Sequence, residues 1–237
     1  MKEKTKKAIL EARKKLEIPE EVEIVLSKTK EVPVYALLSS YDYRINNDGR
    51  YTGMKYIINY RKSISPDILK HELCHLKLHL IGLPIFHSKG SDKITGQVLD
   101  TLHEDFYSGV IMASLFREDF TKKLDKILKS DHVEEHFYKD DNSMAWVLTN
   151  YILNKSICDE RGLDKYSEAL SEKLDHLLSV IDQDLSLYLK EIEGRLNSLP
   201  KLESLKPLTS GERDSIINVM LAIDKIGRKV LSKMENS

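Results

Sequence analysis

The sequence predicts an α+β fold: a small, mainly antiparallel sheet, followed by an all-helical C-terminal part. One observation is the alternation of apolar residues from Val22 onward, which is typical of strands. Another is the strong turn signal Asn46-Asn47-Asp48-Gly49 between two β-like runs, which predicts a hairpin. The third is helical spacing of apolar residues after about residue 65. The β-like runs are 22–26, 32–38, 41–45 and 56–60.

The best-defined helix is predicted over 66–81. Ser65 suits the N-cap, and Pro66 suits the first helical position. Gly82 and then Pro84 supply the stop. A leucine stripe predicts the face that packs into the core: Leu69, Leu73, Leu76 and Leu80.

Further helices are predicted on both sides of this one. The other helical stretches are 5–16, 94–116, 144–157, 170–196 and 216–231. Pro200 and Pro207 bracket a linker between the last two stretches. We expect a first domain over about 1–120, with the sheet beside the helices 66–81 and 94–116, and a helical C-terminal region over 121–237.

The amino-acid composition limits the kinds of molecule that the protein is expected to bind and the compartment in which it is expected. The 237 residues carry 37 Lys+Arg against 38 Asp+Glu, a net charge of -1 that indicates neither a nucleic-acid groove nor an anionic membrane surface. Two cysteines are too few for a disulfide scaffold and suit a reducing compartment. The charged N-terminus lacks the apolar run of a secretory signal, so we expect a cytoplasmic protein.

The segment His71-Glu72-Leu73-Cys74-His75 carries the chemistry. Residues four apart on a helix differ by only about 40° in direction, so both imidazoles can bind one cation. Glu72 lies between them in angle and is placed to act as a general base. Metal-assisted hydrolysis needs this set, because the cation acidifies a water and the carboxylate takes its proton.

The motif with its flanks, Leu69-Lys70-His71-Glu72-Leu73-Cys74-His75-Leu76-Lys77-Leu78-His79, resembles the zincin superfamily. It is most similar to the branch of the phage-repressor-cleaving and radiation-response regulatory metallopeptidases. The resemblance covers about residues 50–116, including the strand that leads into the helix. It implies a zincin-like fold, one zinc per chain and hydrolysis of a peptide or protein substrate.

The resemblance also implies a third metal ligand from a later helix, as in glutamate zincins. Glu104 is the first choice, because it is the family's residue type and Ser108, one turn on, could orient it. The sequence departs from the family after this position, lacking the usual Ala-Asp or Ala-Asn, so the ligand stays open. The alternatives are Asp100, Asp105, His103 and, from a loop, His87.

The remaining histidines are expected to lie outside the metal sphere. His79 shares the face of His71 and His75, yet one helix does not easily bring three histidines to one tetrahedral ion. His132 and His136 lie among charged residues and are expected on a solvated surface.

Two questions stay open at the motif. Cys74 is expected to be a packed thiol that could be oxidation-sensitive beside a metal. The group that stabilises the oxyanion is undecided among Tyr107, His103 and His87. The main prediction is a zinc metallopeptidase. The alternative is a regulatory or binding protein with structural zinc or lost activity, which uses its helical C-terminal half to bind a partner.

Overall fold

A computed structural model describes residues 3–30, 38–45, 51–61, 63–84, 94–130, 137, 141–181 and 183–235. The chain is α+β, as predicted, and most of the described residues are helical. It divides into two compact units, residues 1–77 and 78–237, and the boundary falls inside a helix. The predicted domain boundary near residue 120 stays a prediction.

The sheet of the first unit has three described strands, β1 (Val22–Lys28), β2 (Leu38–Ile45) and β3 (Tyr51–Tyr60), in the order β1-β3-β2. β2 and β3 pair antiparallel from Ile45 with Tyr51 to Leu38 with Asn59, which confirms the hairpin. The turn signal at 46–49 lies outside the described residues, as does the predicted run 32–38 except Leu38.

The expectation of a mainly antiparallel sheet is wrong for one of its two pairings. β1 pairs parallel with β3, from Val22 with Met54 to Lys28 with Tyr60, so the sheet is mixed. After β1 the chain runs in the opposite direction as β2, at the other edge of the sheet, and then returns as β3 between them. β1 and β3 therefore run in the same direction. Residue alternation assigns each side chain to a face of the sheet but does not indicate the direction of the neighbouring strand.

Two helices contribute to the first unit, the second of them only with its residues up to 77. The first is α1 (Glu3–Lys15), which buries Ala8 and Ala12. The second, α2 (Pro66–Leu80), begins and ends within a residue of the prediction. Three of its four predicted core leucines, Leu69, Leu73 and Leu76, are fully buried. Leu80 is only half-buried, whereas Leu78 is buried.

A glycine ends α2 in the way the sequence predicts. Gly82 adopts the left-handed φ of +82°. Its N–H donates to the carbonyl of His79 at 3.0 Å, and the N–H of Leu83 donates to that of Leu78 at 3.0 Å. These two bonds form a Schellman motif. A residue with a Cβ at position 82 would be strained in this conformation.

The second unit continues with α3 (Ile94–Leu115), α4 (Arg117–Lys129), α5 (Asp141–Glu160), α6 (Asp164–Ser179), α7 (Gln183–Leu196) and α8 (Ser210–Glu235). α5 is the central helix, packing against α3, α6 and α7, while α3 also packs against α4 and α8. Gly109 allows the close approach of α3 and α5, because a Cβ there would overlap Ile157.

The structure differs from the sequence prediction at two helices. α4 was not anticipated, and the stretch 170–196 is two helices that are separated near Val180. There the N–H of Val180 donates to the carbonyl of Leu177, and the Ser179 hydroxyl donates to that of His176, which ends α6 without a glycine. None of the described helices has both the length and the apolar character that a membrane span requires.

Candidate metal centre

The two motif histidines converge on one face of α2. Their Nε2 atoms are 3.1 Å apart, and their rings stand nearly perpendicular, with an interplanar angle of 89°. Both side chains are half-buried, because the opposite face of the helix is occupied by the leucines of the core. Two nitrogens bound to one tetrahedral zinc lie about 3.3 Å apart, since each Zn–N bond is about 2.0–2.1 Å. The pair therefore fits zinc with little rearrangement.

Glu72, the expected general base, lies between these histidines and is half-buried. Its backbone carbonyl accepts a hydrogen bond from the hydroxyl of Tyr56 at 3.1 Å. Tyr56 is fully buried on β3, so its ring is held by packing. The central strand thus fixes the turn of α2 that carries the carboxylate. Sequence reasoning placed Tyr56 on a strand but did not identify this contact.

His71, His75 and Asp105 form a group that could hold a metal ion: one ligand atom from each lies within 4.8 Å of the others. Asp105 is half-buried, and the Thr101 hydroxyl donates to its Oδ2 at 3.2 Å. A hydrogen bond of this kind orients a carboxylate toward a metal. Asp105 was a lesser alternative in the sequence analysis, and the threonine one turn before it is the signal that could have raised its rank.

Glu104, the first choice from sequence, is half-buried on the same helix. It is not part of the group found among the described residues, and its role as a ligand stays a prediction. The Ser108 hydroxyl, expected to orient Glu104, donates to the backbone carbonyl of Asp105 at 3.1 Å. The side chain of Asp100 lies outside the described part of the chain, and so do the residues His87, His132 and His136.

Two of the three residues considered for oxyanion stabilisation make buried hydrogen bonds to the backbone. His103 is completely buried, and its Nε2 donates to the carbonyl of Pro84 at 2.8 Å. The Tyr107 hydroxyl donates to the carbonyl of Pro200 at 2.7 Å, and burial raises the pKa of this phenol. These contacts suit structural roles better than contact with a substrate.

Burial determines the protonation and reactivity of two further side chains of α2, His79 and Cys74. His79 is half-buried, and desolvation lowers its pKa, so its imidazole is mostly neutral at pH 7. It is absent from the group that could hold a metal among the described residues, and its place outside the metal sphere stays a prediction. Cys74 is fully buried, and its pKa is raised first by desolvation and then by the charge of Glu72. Such a thiol is a packing group of low reactivity, which argues against oxidation sensitivity.

The site therefore provides two imidazoles and one carboxylate as possible ligands, with a second carboxylate, Glu72, beside them. Catalytic zinc sites use three protein ligands of these types and leave one position for water or substrate. No protein-family model, curated protein or solved structure matches the chain. Any functional assignment thus depends on the motif and its geometry.

Proposed function

We propose that this protein is a zinc-dependent metallopeptidase with a zincin-like site. The single observation behind this proposal is the 3.1 Å approach of the His71 and His75 Nε2 atoms, with Glu72 between the two residues on the same helix. We assign the third ligand to α3, where Asp105 has the supporting geometry and Glu104 is the residue type implied by the family resemblance. One zinc per chain would satisfy this set.

The chemistry follows from the donor types. A bound zinc would supply the Lewis acidity that lowers the pKa of a water and polarises the substrate carbonyl. The Glu72 carboxylate takes the proton of the attacking water and returns it to the leaving amine. The Tyr56 hydroxyl holds the Glu72 backbone in place during these transfers. Neither step requires Glu72 to be a ligand.

The proposed substrate is a peptide or an unstructured segment of a protein. An extended chain can bind by adding a strand to an open sheet edge, where main-chain groups supply affinity without reading sequence. Among the described strands, β1 and β2 form the two edges and β3 is central. We propose that the substrate chain binds at one of these edges. We also propose that it belongs to a protein of the cytoplasm, because the low cysteine content of this chain suits a reducing compartment.

The test is the substitution Glu72→Gln, which keeps size and removes basicity. Zinc content should stay at about one per chain, because the carboxylate contacts the water and not the ion. Turnover of an unstructured peptide should fall by at least about a hundredfold, the lower end of what a positioned general base contributes. The matched control is Glu118→Gln, an exposed glutamate on α4, which should cleave like the parent. Full activity in Glu72→Gln would rule out this mechanism.

A second candidate function is a regulatory or binding protein in which zinc is structural. It is favoured by large apolar side chains that are exposed on the C-terminal helices: Leu187 is 58% exposed on α7 and Leu221 is 52% exposed on α8. A contiguous patch of such side chains would mark a site of partner binding. A parent protein that holds zinc but cleaves no member of a broad peptide library would favour this candidate over the peptidase.

A further inference from the structure

The linker between α7 and α8, residues 197–209, contacts the end of the motif helix. The N–H of Leu208 donates to the carbonyl of Ile81, one residue past α2, at 2.8 Å. The last carbonyls of a helix have no partner within the helix and need one elsewhere. For Ile81 that partner comes from a segment more than a hundred residues along the chain.

The same linker also contacts α3. The hydroxyl of Tyr107 donates to the carbonyl of Pro200 at 2.7 Å. Tyr107 is only 1% exposed, so the bond is made in a buried setting where an unpaired partner would be costly. Tyr107 follows Asp105 by two positions on α3. The linker therefore bonds both to the end of the helix that carries the histidines and to the helix that carries the carboxylate.

The linker is itself firmly held. Leu199 and Leu208 are buried at its two ends. Lys201 pairs with Glu160 of α5 at 3.1 Å. Directly after Leu208, Thr209 and Glu212 form a capping box: the N–H of Thr209 donates to Glu212 Oε2 at 2.7 Å, and the N–H of Glu212 donates to Thr209 Oγ1 at 3.3 Å.

Two prolines restrict the backbone of the linker further, since Pro200 and Pro207 each have a fixed φ. Its carbonyl at Pro200 and its N–H at Leu208 are thus held in place. A segment built in this way can position the elements that it bonds to.

We infer that the linker fixes α3 to Ile81 at the end of α2, and that Tyr107 is a positioning residue for the candidate metal ligand on α3. This inference rests on the proposed zinc site. It assigns to the C-terminal half a part in metal binding that the motif alone does not indicate. The α3 ligand would be held in the orientation that zinc needs only while both hydrogen bonds to the linker are made.

The test removes one hydroxyl. In Tyr107→Phe, the ring still fills its buried position, but the carbonyl of Pro200 loses its donor. We expect zinc affinity, measured against a chromogenic chelator, to fall about tenfold, the lower end of the range for groups that orient metal ligands. The visible absorption spectrum of the Co²⁺-loaded protein should change as well, because it reports ligand geometry. A loss of stability alone would not change that spectrum.

The matched control is Tyr166→Phe, whose hydroxyl donates to Asp125 Oδ1 at 3.1 Å and ties α6 to α4. It should keep the parent's zinc affinity and Co²⁺ spectrum. Leu208→Pro removes the other contact, the N–H to Ile81, and should weaken zinc binding in the same way. A Tyr107→Phe protein with the parent's affinity and spectrum would overturn the inference and leave the proposed function intact. A parent that takes up neither zinc nor Co²⁺ would overturn both.

Discussion

The two helices that carry the candidate metal ligands, α2 and α3, differ in how they are buried. On α2 the polar motif and the buried leucines occupy opposite faces. On α3 the residues from Phe106 to Ala113 are all buried, and only Glu104, Asp105 and Thr101 are at least partly exposed in the turn before them. In an amphipathic helix, the spacing of the apolar residues shows which way the polar side chains face. In a helix that is buried on nearly all sides, the spacing does not show this direction.

This difference explains why one pair of candidate ligands was evident from the sequence and the third candidate was not. His71 and His75 share a face by spacing alone. Glu104 and Asp105 are adjacent, so they point about 100° apart on a helix of 3.6 residues per turn. Only one of them can face a given partner. The choice depends on the rotation of α3 about its axis, which tertiary packing sets.

The largest expected effect tests α2. His71→Ala should lower the zinc content from about one per chain to about zero, because a site with one imidazole and one carboxylate no longer holds the ion against solvent. The matched control is His79→Ala, one turn beyond His75, which should retain zinc. Elemental analysis of protein prepared without chelator measures both. Retention of zinc by His71→Ala would mean that the metal lies elsewhere.

The next effect tests α3. Asp105→Asn should weaken zinc binding by more than about a hundredfold, the upper end of what loss of a group that merely orients a ligand causes. Glu104→Gln should leave it nearly unchanged. Competition with a chelator gives both affinities. The reverse result would restore the residue implied by the family resemblance and displace Asp105. Equal affinities in parent and both variants would mean that no acidic residue at these two positions is a ligand.

The smallest expected effect concerns the contact that holds α2 to α1. Glu11 Oε2 lies 2.8 Å from Lys70 Nζ, and this hydrogen-bonded pair lowers the pKa of Glu11 from its ordinary 4.5. A lowered pKa in the folded state contributes stability above the ordinary value, and this contribution is lost as the pH falls through the folded-state pKa.

Glu11→Gln should therefore reduce the free energy of unfolding at pH 7 by only a few tenths of a kcal/mol, because the glutamate is partly exposed. The difference from the parent should shrink as the pH falls below the ordinary 4.5, and it should vanish at an acid pH below the lowered folded-state pKa, where the carboxyl is protonated in both states. Urea titrations at the two pH values measure it. A difference that persists unchanged in acid would mean that packing, and not charge, holds this pair.

Local signals predicted much of the fold. The bounds of α2 follow from Pro66 at its start and Gly82 after its end, and the structure confirms both. The hairpin of β2 and β3 follows from the turn signal between the two runs. The parallel pairing of β1 with β3 could not be predicted in this way, because strand order depends on contacts between distant segments.

The site shows the same limit. The histidine pair and its glutamate were predicted from three fixed positions on one helix, and the structure places the Nε2 atoms of the two histidines 3.1 Å apart. Tyr56 lies 16 residues before Glu72, and Pro200 lies 93 residues after Tyr107. Contacts over such distances leave no spacing pattern in the sequence, so the residues that support the site came only from the structure.

The two buried cysteines can report the local opening of the two units separately. Cys74 lies in the unit 1–77 and Cys158 in the unit 78–237, and both are fully buried. Burial raises the pKa of both thiols, that of Cys158 to about 12. A thiol reagent can therefore label each cysteine only when its own surroundings open. The labelling rate at each cysteine therefore measures how often its own unit opens locally. If zinc slows the labelling of Cys74, ion binding and local opening are linked.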